Sequence, residues 1–416
     1  MRKILEKILK ILSKLVLKKY KPVIIAITGS VGKTSTKEAI FHVLKTHFGE
    51  HRVRKNIHNY NNEIGAPLTI FGLETGGKSI LKWLLRFLKI FYMLIDRINY
   101  PDFLILEMGA DRPGDIKYLV DFIHPKVGVI TAMGDIPVHV EFFKSPEAVA
   151  KEKRNLVSCL EKDETAILNY DDKRVKNMSK DLKSKILFFG LNEQADIKAT
   201  NYSLNENELN FKLEFDGKSV PGKLIDVLGT QHLYSALAAT AVGIVFNMNL
   251  IEIVEALKQF RPLSGRMRLI KGIKNSLIVD DSYNAALLSM QAALDSLKIF
   301  NRRKIVVLGD MLEIGDYSLE AHKLIGKKAN EIADVVFCIG ARAKFIAKEI
   351  KNKPVFEFDT SDQARLAIQD EIKENDVILF KGSQGIRLEK IIKEVMAEPN
   401  KAKELLARQD KAWLKK

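Results

Sequence analysis

The sequence predicts an α/β protein with two sheet-containing units. Three observations carry the prediction. A glycine loop, Thr28-Gly29-Ser30-Val31-Gly32-Lys33-Thr34-Ser35, lies between an apolar run, Val23–Ile27, and a segment of helical spacing, Lys37–Phe48. After it, short apolar runs alternate with helical segments, as parallel strands and their crossover helices do. That alternation restarts beyond Arg261-Pro262-Leu263-Ser264-Gly265. The expectation is a P-loop central domain with a mostly parallel sheet, followed by a Rossmann-like C-terminal α/β domain.

Taken in order, residues 1–20 hold seven basic residues and one acid. Ile4, Ile8, Ile11, Leu12 and Leu15 recur at helical spacing beside Lys3, Lys7, Lys10, Lys14 and Lys18, which predicts a basic amphipathic helix. The central domain is assigned to 21–262. Within it Phe103–Leu106, Val127–Thr131 and Ala166–Asn169 read as buried strands, and 78–97 as a second basic amphipathic helix. Residues 195–226 alternate as an antiparallel hairpin flap, and Gln231–Phe246 is an alanine-rich helix. The C-terminal domain is assigned to 263–396, with strands at Leu277–Val279, Ile305–Leu308, Val335–Ile339 and Val377–Phe380, and 397–416 to a helical tail. Both amphipathic segments fit either packing on the protein or contact with a membrane surface; neither has the uncharged length of a span.

The loop has a chemistry of its own. Glycines allow close backbone approach to a phosphate, and the following helix N-terminus offers amide groups and partial positive charge. Lys33 adds a cation and Thr34 a hydroxyl for Mg2+. The loop departs from the usual spacing, since the expected first glycine falls on Ile27.

Composition narrows the class. At 416 residues and 46% hydrophobic, the chain can bury sizeable cores. Two cysteines, Cys159 and Cys338, imply no disulfide framework and fit a reducing cytoplasm. No segment reads as a cleaved signal peptide. The net charge of +15 suits an anionic partner, and with no nucleic-acid motif in the chain, nucleotide phosphates or anionic lipid headgroups are expected rather than nucleic acid.

Several blocks in order carry a family resemblance. The loop Thr-Gly-Ser-Val-Gly-Lys-Thr-Ser is similar to that of the Mur ligase family. Asn59-Tyr60-Asn61-Asn62-Glu63-Ile64-Gly65-Ala66-Pro67, Leu106-Glu107-Met108-Gly109, Asp280-Asp281-Ser282-Tyr283-Asn284-Ala285, Leu308-Gly309-Asp310-Met311-Leu312-Glu313-Ile314-Gly315 with His322, and Lys381-Gly382-Ser383 resemble the branch that adds D-alanyl-D-alanine to a muramoyl-peptide precursor. The resemblance runs from about Lys21 to Met396. It implies a cytoplasmic ATP-dependent amide ligase of peptidoglycan synthesis, acting through an acyl phosphate with Mg2+ at two sites. The implied nucleotide contacts are Thr28 to Ser35, with Arg266 and Asp281 reaching in from beyond the hinge. Lys33, Lys153 and Arg266 are the implied catalytic residues. Thr34, Glu107, His139 and Lys153 are the implied metal ligands, Lys153 as a carbamate, with Lys151 the competing assignment. Asn59, Asn62, Asn284, Lys381 and Ser383 are implied on the substrate side.

Two blocks depart from the family pattern: Gln231-His232-Leu233-Tyr234-Ser235 before the alanine-rich helix, and Asn284-Ala285-Ala286-Leu287. Family members usually begin with a separate domain that binds the uridine nucleotide, and only about 20 residues precede the P-loop strand here. The expectation is that this domain is lacking. A ligase acting on a lipid-linked or different acceptor is the alternative, with peripheral contact at the inner membrane surface. A non-enzymatic nucleotide-dependent scaffold is the rival from another class.

Overall fold

The computed structural model describes residues 2–57 and 60–414. Among them two sheets dominate. The first has nine strands in the order β2-β3-β1-β4-β5-β6-β7-β8-β9. Its parallel part comprises β1 (Val23–Thr28), β2 (Val53–Lys55), β3 (Phe103–Glu107), β4 (Val127–Ile130), β5 (Thr165–Asn169), β6 (Lys185–Gly190) and β7 (Ile197–Leu204). β8 (Glu208–Phe215) and β9 (Lys218–Ile225) continue it antiparallel. Residues 195–226 pair antiparallel as expected, β7 with β8 and β8 with β9, but they are not a hairpin flap. They form three strands on the edge of the main sheet, where Leu209, Phe211 and Leu213 are buried. The alternation was legible, but the parallel pairing of β7 onto β6 depends on a long-range contact that alternation does not encode.

β1 and β3 to β5 are buried apolar strands, covered on both faces as parallel sheets require. On one face α2 (Lys33–Phe48) packs with the alanine-rich helix at Gln231–Val245. α2 begins four residues earlier than spacing predicts, because Gly32 at φ 88° turns the chain directly into it. On the other face lie α1 (Arg2–Tyr20), α3 (Gly65–Phe71), α4 (Ile80–Ile95), α5 (Asp115–Val120) and α6 (Pro146–Ser158). α1 is a packed element: Leu9, Leu12 and Val16 are buried in the same core as Ile24 and Leu104. Among the described residues, no helix is long and apolar enough to cross a membrane.

The second sheet has the order β10-β11-β15-β12-β13-β14. Its strands are β10 (Arg268–Lys271), β11 (Leu277–Asp281), β12 (Lys304–Gly309), β13 (Val335–Ile339), β14 (Val355–Phe358) and β15 (Val377–Lys381). All neighbours are parallel except β10 and β11. The carboxyl ends of β11 and β15, at Asp281 and Lys381, face the same cleft as the P-loop, as ligand sites in open α/β sheets do.

Candidate active site

The loop between β1 and α2 is tightly held. Gly29 has φ 147°, and a Cβ there would meet Thr131 Oγ1 at 2.0 Å, so no other residue fits. The amides of Ser30 and Val31 donate to Ala132 O at 2.7 and 3.1 Å, and Thr131 Oγ1 donates to Val31 O at 2.6 Å. The Thr28 hydroxyl donates to Met108 O at 2.9 Å. Lys33 Nζ donates to Gly29 O at 2.9 Å. Burial lowers the Lys33 pKa, with Glu107 opposing the shift. Gly32, Thr34 and Ser35 continue the loop into α2, where the helix N-terminus points at the cleft.

Glu107 closes β3 and is almost fully buried. Thr34 Oγ1 donates to its Oε2 at 3.0 Å and Asn61 Nδ2 to its Oε1 at 3.3 Å. The Lys37 ammonium lies 4.0 Å from Oε2 and also donates to Asn56 O at 3.2 Å. Burial pushes the Glu107 carboxyl up, but Lys37, Lys33, Arg266 and the Thr34 hydroxyl together hold it below the ordinary carboxylate range. It is an anion surrounded by cations, with hard oxygen donors, Thr34 and Glu107, side by side. That donor set fits Mg2+.

Lys153 lies on α6 and is 1% exposed, whereas Lys151 points to solvent. Its neighbour Glu152 points into the fold and accepts the amides of Gly114, Ile116 and Lys117 at the start of α5. No hydrogen bond or ion pair to the Lys153 ammonium occurs among the described residues. Burial, with Lys33 adding to it, lowers its pKa from 10.5 to about 7. At neutral pH a substantial share of the amine is therefore unprotonated and able to react as a nucleophile.

The second half of the chain completes the cleft. Arg266 Nη2 donates to Thr34 Oγ1 at 2.9 Å, and its guanidinium lies 4.3 Å from the Tyr283 ring centroid. Asp280 holds the turn before it, accepting from Gly265 N at 2.9 Å and from the Ser282 amide and hydroxyl. Lys381 Nζ donates to Asp281 Oδ2 at 2.5 Å and to Asn284 O at 3.1 Å, so these three substrate-side and nucleotide-side residues meet. Ser383 Oγ accepts the Leu312 amide at 2.9 Å. His322 Nε2 accepts the Met311 amide at 3.0 Å, which makes it a support of the same turn.

His139 sits at φ 69°, with Nδ1 2.9 Å from Glu313 Oε2 and Nε2 3.4 Å from Asp111 Oδ1. It thus joins the two halves. Among the described residues, no group of three or more His, Cys, Asp or Glu side chains is arranged to hold a metal ion. Asn62 Oδ1 caps α3 through the amides of Ile64 and Gly65, and it is Asn61 that lines the cleft. Asn59 lies outside the described residues.

The resulting cleft has a volume of about 1180 Å³ and is lined from both halves, from the P-loop to Ser383. Sequence reading missed Lys37, Asn61, Asp111 and Tyr283. Lys37 follows Lys33 by one helical turn, and Asn61 and Tyr283 lie inside quoted blocks, so spacing held the signal. Asp171 and Tyr234 were also missed. Their hydrogen bond at 2.9 Å forms the far wall of the cleft, across 63 residues of sequence.

Comparison with known proteins agrees with this layout. Residues 27–243 match the Mur ligase middle domain and 265–384 the domain described as Mur ligase, glutamate ligase domain. The UDP-N-acetylmuramoyl-tripeptide–D-alanyl-D-alanine ligase of Buchnera aphidicola subsp. Acyrthosiphon pisum is 31% identical over 394 residues, covering 92% of this chain and 79% of that one. The enzyme of the same name from Bacillus subtilis is 29% identical over 385 residues, covering 90% and 76%. Among solved structures, MurF from Acinetobacter baumannii superposes with a TM-score of 0.80 at 25% identity, covering 93% of this chain and 79% of that one. MurF from Thermotoga maritima, solved in complex with ADP, shares the fold with a TM-score of 0.77 at 24% identity, covering 96% and 84%. The chain belongs to the Mur ligase family of ATP-dependent carbon–nitrogen ligases.

Proposed function

We propose that this enzyme adds D-alanyl-D-alanine to a muramoyl-tripeptide carboxylate in peptidoglycan synthesis. The names of its relatives supply the substrates. The observation that carries the reaction type is the meeting of Arg266 with Thr34 and Glu107 at the P-loop. A ligase that activates a carboxylate by phosphorylation needs cations on the transferring phosphoryl group and a carboxylate-bound metal beside it.

ATP supplies the phosphoryl group: its γ-phosphoryl bonds to the acceptor carboxylate oxygen, ADP leaves, the amine nitrogen of the dipeptide then bonds to the acyl carbon, and inorganic phosphate leaves. In this reading Thr28 to Ser35 cradle the phosphates, and Lys33 leaves Gly29 O to pair with them. Thr34 and Glu107 would hold Mg2+, which would supply neutralisation of phosphate charge. Arg266 brings a fixed planar donor from beyond Pro262. Asp281 and Lys381, already paired, orient nucleotide and acceptor, with Asn284 and Ser383 on the incoming-dipeptide side.

Carbamylation of Lys153 is the finer part of the proposal. The amine is buried next to Lys33, so two like charges oppose each other there. Addition of CO2 to the neutral amine releases a proton and leaves an anion, turning that repulsion into attraction. His139 would join this second site by releasing Glu313. The compartment assigned by this reading is the cytoplasm. A panel assay of phosphate release, pairing UDP-linked and lipid-linked muramoyl-tripeptides with several amines, tests the reading. Release dependent on D-alanyl-D-alanine supports it, and release with another amine alone contradicts it.

A further inference from the structure

Two helices away from the cleft carry apolar surface that no other described residue covers. On α4, Ile90 and Met93 are buried and Trp83 and Phe87 are half-buried against the domain. On its opposite side, at helical spacing, Leu81, Leu84, Leu88, Phe91 and Ile95 are 54–83% exposed. α1 repeats the arrangement: Leu9, Leu12 and Val16 are buried, while Ile4, Ile8, Ile11 and Leu15 are 40–63% exposed. About half of the exposed large apolar side chains among the described residues lie on these two helices, far from the scattered distribution of an ordinary surface.

The helices are joined at their C-terminal ends. Lys19 Nζ donates to Met93 O and Leu94 O at 2.9 and 3.1 Å, a cation on the open carbonyls of α4. Around α1 the exposed isoleucines fall between the row Lys3, Lys7, Lys14 and Lys18 and the side from which Lys19 reaches α4, so the two stripes adjoin. That row is exposed, as are Lys82 and Lys89 flanking the stripe of α4. α4 contains no acidic residue, and the one acid of α1, Glu6, pairs with Arg2 at 2.9 Å.

We infer that the α1–α4 face docks on an anionic lipid bilayer surface, its apolar stripe at the acyl boundary and its lysines among the headgroup phosphates. Apolar side chains bordered mainly by lysines are the pattern of an interfacial helix; Asp96, which follows the stripe of α4, accepts from the Tyr92 hydroxyl at 2.8 Å. Neither helix can cross the bilayer, so the contact is peripheral. A second copy of the chain fits less well, since a two-fold contact would bring the lysine rows of both copies together. The inference needs only these helices and stands apart from the ligase reading.

Flotation of the full-length protein with vesicles tests it. Vesicles of phosphatidylcholine mixed with phosphatidylglycerol should carry the protein, phosphatidylcholine alone should not, and sodium chloride should release it. Leu84→Glu with Leu88→Glu should abolish flotation, and Lys3→Glu with Lys7→Glu and Lys14→Glu should weaken it roughly 100-fold. All five positions are exposed and outside the cleft, so melting temperature and phosphate release without vesicles should be unchanged. Absence of flotation by the folded protein at low salt overturns the inference. So does a dimer, seen by sedimentation and dissolved by Leu84→Glu, in a protein that ignores vesicles.

Discussion

Arg266 Nη2 lies 2.9 Å from Thr34 Oγ1, a contact between residues 232 apart in sequence. It ties the second α/β unit to the P-loop of the first. Thr34 in turn donates to Glu107, so one hydroxyl joins the distal cation to the buried carboxylate. The turn that presents Arg266 is fixed by Asp280 through Gly265 N and by the Tyr283 amide on Gly265 O at 3.0 Å.

Removing that guanidinium should cost turnover more than folding. Arg266→Ala is expected to lower kcat roughly 100-fold or more, the loss typical of a donor aimed at developing charge. Arg266→Lys should recover little, because an ammonium cannot stack on Tyr283 and bond Thr34 in the same geometry. Steady-state kinetics with circular dichroism as a folding control check this. A well-folded Arg266→Ala with near-normal kcat would remove Arg266 from the site.

Lys33→Ala should abolish ATP-dependent ligation in a folded protein. A charge-assisted hydrogen bond contributes about 1.5–3 kcal/mol in the ground state. In the transition state the loss should reach roughly 100-fold or more. Nucleotide binding by calorimetry and turnover on the same preparation measure the two parts separately.

Lys153 sets a pH dependence. Its pKa is lowered from 10.5 to about 7, so the amine is protonated below that pH and neutral above it. Carbamate formation needs the neutral amine, so activity at fixed low bicarbonate should rise through about pH 7 and fall on the acid side. The unmodified protein should gain stability from about pH 7 towards 10.5, because in that window the unfolded chain holds a proton that the folded amine has lost. Lys153→Ala should be severely impaired and partly rescued by acetate. A mass spectrum showing unmodified Lys153 in the active, Mg-ATP-bound enzyme would refute the carbamate.

The N-terminal helix belongs to the fold. Leu9 is fully buried and Ile11 exposed on the same helix. Leu9→Ala should cost roughly 2–5 kcal/mol by opening a cavity, and Ile11→Ala should fall within about 0.5 kcal/mol. Chemical denaturation distinguishes them, and equal effects would mean that α1 is not packed as described.

What the sequence made legible follows from range. β1, the glycine loop and the central strands are local patterns, an apolar run bounded by turn residues, and they read directly. Glu107 was visible as a carboxylate ending an apolar strand. Lys153 was separable from Lys151 only by burial, which the helix face of α6 decides through packing. The place of 195–226 in the main sheet, the amides of α5 held by Glu152, and the pairing of Lys381 with Asp281 are settled by contacts between distant segments. Sequence spacing carries no record of them. The amphipathic character of α4 was legible in its spacing, but which side packs, with Ile90 and Met93 buried, is decided by the neighbouring elements.

The most direct test of the central claim is a single reaction containing ATP, Mg2+, muramoyl-tripeptide and D-alanyl-D-alanine, followed by phosphate release and by the mass of the product. The account predicts one phosphate per amide formed, release that requires both acceptor and dipeptide, and loss of both signals in Lys33→Ala. Phosphate release that proceeds without acceptor, and no gain of the dipeptide mass, would contradict it.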